Sequence, residues 1–296
     1  MKGTHVKKTL VLKSLLSSLL LLGGLSQLAQ AADADPDLVF AGTPYEGDFT
    51  ANINVVSKYI LRGITQTYDA KYDGSGPESD SPAVQGGMDY VLKNGLYVGY
   101  WFSSLGYSYA ALNPDASGKH TQNSVENDFY GGYNGTIGST GIGYTLGGTI
   151  YVYEPGWAST GYETKLGLNY GEVGVTAQTL LNDVTFGNTG DTYFVATWTH
   201  PLPKDFTFTG QVGAYLYGKH GDYIDSNNPS KPGYHSGYVN GVDKAKSFAF
   251  RQATLGISHP LPIKGATWGL QYIFGGDNRY DVKQGNQLVG SLGLTF

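Results

Sequence analysis

The sequence predicts an all-β protein: one transmembrane antiparallel β-barrel of about 12 strands, entered after a cleaved N-terminal signal peptide. Three observations predict it. Apolar and polar residues alternate with period two through most of the chain, the pattern of strands with one apolar face. The connections between these runs alternate between short and long, as the turns and loops of an outer-membrane barrel do. Composition agrees, with 44 Gly, 24 Tyr, only 15% charged residues and no Cys. Gly costs about 1 kcal/mol per helical position relative to Ala, which disfavours a helical fold. Without Cys there are no disulfides, thiolate metal sites or cysteine nucleophiles.

The export signal comes first. Lys2, Lys7, Lys8 and Lys13 precede an apolar stretch from Leu15 to Leu25, and Ala29-Gln30-Ala31 follows. A basic start, a short apolar middle and an A-x-A exit describe a cleaved signal peptide over residues 1–31. The apolar stretch is short for a spanning helix, which needs roughly 20 residues. Taking four lysines from 19 basic residues leaves 15 against 24 acidic ones, a net charge of −9. An acidic exported chain lacks the clustered Lys and Arg that nucleic acid demands. Residues 32–48 then form a short periplasmic segment, and 49–296 the barrel.

The first run, 49–61, places Phe49, Ala51, Ile53, Val55, Ser57, Tyr59 and Leu61 on one face. Further runs follow at about 82–93, 96–106, 124–137, 142–153, 160–170, 173–182, 191–200, 206–218, 247–259, 266–275 and 286–296. Asn94-Gly95, a strong hairpin signal, opens the short connections, which continue at 138–141, 171–172, 201–205 and 260–265. Two of these repeat a His-Pro-Leu-Pro pattern, from His200 and from His259. The others, about 64–81, 107–123, 154–159, 183–190, 219–246 and 276–285, are mostly longer and rich in Asp, Asn, Gly and Pro. An even strand count returns both ends of the barrel to the periplasmic side.

The last strand alternates Leu288, Gly290, Leu292, Leu294 and Phe296 with polar or small residues. It resembles the terminal strand that outer-membrane barrels present to the barrel assembly machinery, with Phe296 as the final residue. Lipid requires every backbone polar group to pair within the barrel, and an apolar band with aromatic girdles outside. Tyr90, Tyr97, Trp198, Phe206, Trp268 and Phe296 lie near the expected periplasmic strand ends, and Tyr59, Phe102, Tyr153, Tyr217, Tyr272 and Phe274 near the external ones.

The opposite face carries the candidate pore-lining residues Lys58, Arg62, Asp89, Glu126, Asp128, Glu163 and Lys165, interspersed with amides such as Asn52, Gln85 and Gln178. Charges of both signs are costly toward lipid. Inside, they either pair into a plug or line a narrow watery channel. Arg251 shares parity with Ala253, Leu255 and Ile257, so either a bulge re-aims it or it sits on the outer rim. Catalysis has little support. His200 and His259 fall in the proline turns, while His120, His220 and His235 fall in long loops without ligand spacing. No metal or cofactor is expected.

Ser57-Lys58-Tyr59-Ile60-Leu61-Arg62-Gly63-Ile64-Thr65-Gln66-Thr67 resembles the opening signature of the TorF-type porin family. Pro82 to Tyr90, Gly95 to Ser103, Glu126 to Tyr133 and Tyr151 to Gly156 are similar to later family segments, although Glu154 interrupts the family's Tyr-Pro-Gly run. The resemblance implies a Gram-negative outer-membrane channel, surrounded by lipid and passing small hydrophilic solutes or ions. The alternative is a plugged structural or adhesive barrel acting through its outer loops.

Overall fold

Alternating side chains fold this chain into a closed cylinder, seen in a computed structural model that describes residues 46–64, 81–112, 122–218, 220–236, 238–239 and 242–296. The expected signal peptide and most of the 32–48 segment lie outside the described residues.

The wall strands are β1 (Gly47–Val56), β2 (Ala83–Leu92), β3 (Leu96–Ser104), β4 (Val125–Thr136), β5 (Gly143–Glu154) and β6 (Gly161–Tyr170). They continue with β7 (Val173–Leu180), β8 (Thr192–Pro201) and β9 (Thr207–Leu216). Two short strands, β10 (Tyr238–Val239) and β11 (Val242–Asp243), pair with each other in the long connection that follows. β12 (Phe248–Pro260), β13 (Ala266–Gly275) and β14 (Gln287–Thr295) complete the wall. Neighbours pair antiparallel in chain order, and β1 closes on β14 with Asn52 opposite Thr295 and Val56 opposite Ser291. The barrel has twelve strands and no sheet edge.

Parity decides the two faces. Val98, Phe129, Leu166, Val175, Val212, Leu255 and Leu292 are exposed on the outside, forming the apolar belt that a lipid-facing wall requires. Aromatic clusters mark both ends of that belt. Trp198 meets Phe208, and Phe206 meets His259 and Trp268, near the short-turn rim. Tyr272 and Phe274 pack together near the long-loop rim.

The turns behave as their residues dictate. Gly95 takes φ 96 in the β2–β3 hairpin, its amide donates to the Leu92 carbonyl at 2.9 Å, and Asn94 Oδ1 accepts from the Leu96 amide at 3.0 Å. Glycine supplies the positive φ without steric cost.

Two expectations about β1 and β12 resolve here. The first strand is shorter than its alternation suggests and ends at Val56. The Ser57 amide still donates to the Gly290 carbonyl at 2.8 Å, after which the chain leaves the wall. A β-turn follows, closed by the Ile64 amide on the Leu61 carbonyl at 2.9 Å, with Arg62 at φ 47 and Gly63 at φ 75. Positive φ at both central residues is the mirror-image turn that reverses a chain tightly. Lys58 and Arg62 are therefore not groups on a wall strand. In β12 the pairing with β9 slips between Phe250 and Gln252, and this β-bulge turns Arg251 inward, to 1% exposure.

Candidate functional site

The inward face changes character along the barrel. Toward the long-loop rim its side chains are packed: Gln85, Glu126 and Gln178 are 0% exposed, and Asp128, Glu163 and Lys165 no more than 4%. Toward the short-turn rim, Thr50, Asn134, Thr145, Thr199 and Thr209 are only half-buried, and Asn169 is exposed. The lumen is thus a polar vestibule at one end and a filled, charged constriction at the other.

Arg62 forms the constriction. Its guanidinium, carried into the lumen by the turn after β1, reaches Glu163 on β6 with two parallel hydrogen bonds, Nη1 to Oε1 at 2.9 Å and Nη2 to Oε2 at 2.7 Å. Such a fork is the strongest geometry available to a carboxylate. The same guanidinium donates to the Tyr215 hydroxyl at 2.6 Å and the Tyr151 hydroxyl at 3.2 Å. It also lies over the Tyr193 ring, 4.9 Å from its centroid, a favourable cation–π contact. Glu163 accepts further bonds from the Tyr151 hydroxyl at 2.5 Å and from Gln178 Nε2 at 3.2 Å. The carboxylate is thereby held on β6 from both sides.

The other expected lining residues surround this pair. Asp89 accepts from the Tyr130 hydroxyl at 2.7 Å. Lys165 is buried on β6, within electrostatic reach of Glu163 and Asp89. Glu126 accepts from the Tyr153 hydroxyl at 3.1 Å. Asp128 is inward and buried on the same strand. Lys58 donates to Gln287 Oε1 at 2.9 Å, at the seam between β1 and β14. All seven expected residues stand in or beside one lumen, with the carboxylates on β2, β4 and β6. Arg62 and Arg251 approach from the other side, where Arg251 Nη1 donates to the Asp277 carbonyl at 2.8 Å.

The aromatic residues need correction. Tyr59, Tyr97 and Tyr153, expected in the outer girdles, are at most 5% exposed and point inward. Tyr59 packs edge-on against the buried Trp101, with centroids 5.6 Å apart. Tyr153 stacks on Tyr109 at 3.7 Å. Tyr217 continues the inward parity of β9 and stacks on Tyr215 at 4.8 Å. Tyr97 shares parity with Gly99, Trp101 and Ser103, which was the available signal. Small residues opposite make room: a Cβ on Gly213 would collide with the Tyr193 hydroxyl, and one on Gly99 with the Tyr130 ring.

Above the constriction, three long loops are stitched together. Asn188 Nδ2 donates to the carbonyls of Gly218 and Ile224, Arg279 pairs with Asp191, and Arg279 Nη1 donates to the Gly218 carbonyl at 2.8 Å. Asp183 accepts from the Thr189 amide at 2.7 Å and hydroxyl at 2.8 Å, and from the Asp222 amide at 2.8 Å. Burial pushes the Asp183 carboxyl up, but these donors outweigh it and hold the carboxyl below its ordinary value. The histidines are spent locally. His200 Nδ1 meets Glu172 at 2.8 Å, and His220 Nδ1 meets the Asp225 carbonyl at 2.8 Å. Among the described residues no group of three His, Asp or Glu is placed to hold a metal. Sequence reasoning missed the Arg62 partners Tyr151, Tyr193 and Tyr215.

Comparison with solved structures finds similar barrels at low identity. The KdgM porin is 6% identical with a TM-score of 0.47, over 83% of this chain and 98% of that one. The NanC porin is 11% identical with a TM-score of 0.42, over 83% and 98%. Outer membrane phospholipase A from Escherichia coli is 14% identical with a TM-score of 0.39, over 85% and 94%. No curated protein matches the sequence. Residues 41–281 match the model of a family described as "Bacterial protein of unknown function (Gcw_chp)", and the chain belongs to that family.

Proposed function

We propose that this barrel is an outer-membrane channel of the TorF porin type, passing small hydrophilic solutes or ions by diffusion. One observation carries the reading. The lumen opens into a polar vestibule at the short-turn rim and narrows to a constriction where the Arg62–Glu163 pair stands among inward carboxylates and buried aromatic rings. Polar walls replace part of a solute's hydration while fixed charges select its sign. A barrel of twelve strands lies between those filled by their own side chains and those with wide channels, which suits a narrow, selective pore. The short-turn rim then faces the periplasm, and Phe296 serves as the signal read by the barrel assembly machinery. Lys58, Arg62, Asp89, Glu126, Asp128, Glu163 and Lys165 are the groups that a permeating solute meets.

Conductance of the refolded protein in a planar bilayer under a salt gradient tests this. Discrete steps with a charge-dependent reversal potential are expected, and neutralising Lys58 and Arg62 together shifts that potential toward cations. Folded protein that passes no current would sink the channel.

A further inference from the structure

The Arg62 site is the lower end of a longer column. Tyr193 and Tyr215 sit with ring centroids 5.0 Å apart, and Tyr215 stacks on Tyr217 at 4.8 Å with 11° between planes. Arg62 lies over Tyr193 at 4.9 Å and near Tyr215 at 5.8 Å. Arg279 lies over Tyr217 at 4.2 Å. Arg251 stands beside the column, with Nε donating to the Arg62 carbonyl at 3.2 Å and Nη1 to the Asp277 carbonyl at 2.8 Å. Three guanidiniums and three tyrosine rings thus rise together from the middle of the lumen to the long-loop rim.

Their charge is unevenly compensated. Arg62 is paired with Glu163 and Arg279 with Asp191. Arg251, 1% exposed, meets the carbonyls of Arg62 and Asp277, and no described carboxylate lies within ion-pair distance of it. A buried guanidinium without a counter-charge is costly, and a visiting anion would supply that charge. Glu163 and Asp191 show which chemistry the end guanidiniums accept: a carboxylate, held by a planar fork at Arg62 and by Nη2 alone at Arg279. Successive sites, each favourable yet replaceable by the next, are what conduction requires.

We infer that the column of Arg62, Arg251 and Arg279 on Tyr193, Tyr215 and Tyr217 is a track for small organic carboxylates, with Glu163 and Asp191 as built-in occupants of its two end steps. The inference rests on the channel reading and names its solute class. A carboxylate arriving from the vestibule takes Arg62 from Glu163, passes to Arg251, which has no carboxylate partner among the described residues, and leaves past Arg279.

Benzoate is the probe, applied in two measurements. In a planar bilayer, benzoate added on the vestibule side reduces the chloride current in a concentration-dependent way. By calorimetry, benzoate binds the detergent-folded protein. E163Q, which frees Arg62 from its internal occupant, tightens benzoate about tenfold in both. R251Q weakens it about tenfold, the size expected when a charged hydrogen-bonded fork is lost, and R251K recovers part of the loss. Heat-modifiable migration on gels confirms folding of each variant, and E163Q alone carries the test if R251Q fails to fold. Steps that benzoate leaves unchanged, or equal calorimetric affinity in wild type and folded variants, would overturn the track while leaving the channel. The expected calorimetric order in a protein that passes no current would retain the carboxylate sites and remove conduction.

Discussion

Arg251 donates through Nε to the backbone carbonyl of Arg62, 189 positions away in sequence, at 3.2 Å. The bulge in β12 and the turn after β1 are therefore one device: the bulge turns Arg251 inward, and Arg251 then fixes the turn that delivers Arg62. Gln252 completes the cradle, since its side chain and the Arg251 carbonyl flank Gly63 so closely that no Cβ fits between them.

Gly63→Ala tests that device. The new methyl would stand 2.6 Å from Gln252 Oε1 and 2.7 Å from the Arg251 carbonyl oxygen, at a residue with φ of +75. The left-handed conformation alone costs a non-glycine residue about 1–2 kcal/mol. The turn should loosen and the Arg62–Glu163 bridge populate an open state, seen as larger or noisier single-channel current. Current identical to wild type would separate the turn from the constriction.

Gly213→Ala acts on the same guanidinium from the far wall. A methyl there displaces the Tyr193 hydroxyl and tilts the ring that Arg62 covers. Overpacking of this kind costs about 1–3 kcal/mol. Equilibrium unfolding in lipid should show the loss, and a Gly213→Ala/Tyr193→Phe pair should recover much of it. No recovery would place the strain elsewhere.

Opposite faces of the wall should respond oppositely to charge. Leu166 is 56% exposed in the middle of β6 and faces outward. Leu166→Arg should cost about 2–4 kcal/mol in a bilayer, the depth-dependent penalty of a lipid-facing arginine. Thr145→Arg, in the vestibule, should cost no more than about 0.5 kcal/mol. Equal effects on unfolding in lipid would contradict the membrane orientation of the belt.

Acid should open the loop clasp around Asp183. The Asp183 carboxyl is held below its ordinary value by donors from Thr189 and Asp222. A carboxylate lowered on folding contributes stability above its unfolded pKa of about 3.9 and loses it as pH falls through the lower folded value. Amide exchange at Thr189 and Asp222 should therefore accelerate below about pH 4, and Asp183→Asn should show the fast rates at neutral pH. Protection that stays constant into acid would mean that neighbouring loop bonds suffice.

The wall was legible because period two is rigid: once Val98, Leu166 or Leu255 faces out, every second neighbour follows. Most strand limits fell within two residues of those expected from alternation, and the parity conflict at Arg251 pointed to the bulge. The turn after β1 was hidden because Ser57 to Leu61 continues the alternation of β1 without continuing its ladder. Only the sign of φ at Arg62 and Gly63 separates the two, and a sequence does not carry it. Tyr59, Tyr97, Tyr153 and Tyr217 were misplaced because tyrosine suits both an interface girdle and a polar interior. For Tyr97 the glycines that make room, Gly132 and Gly147, resolve the ambiguity only once register is known.

The constriction is anchored where the cylinder closes. Beyond Val56 the β1 ladder gives way to Ser57, which exchanges bonds with Gly290, and to Lys58, which holds Gln287. Both partners belong to β14, the last strand in chain order. The inward turn therefore gains its footing only when the first and final strands meet. Joining the ends of the wall and narrowing the lumen are a single event, so a barrel left ajar at its seam would also lose its selectivity.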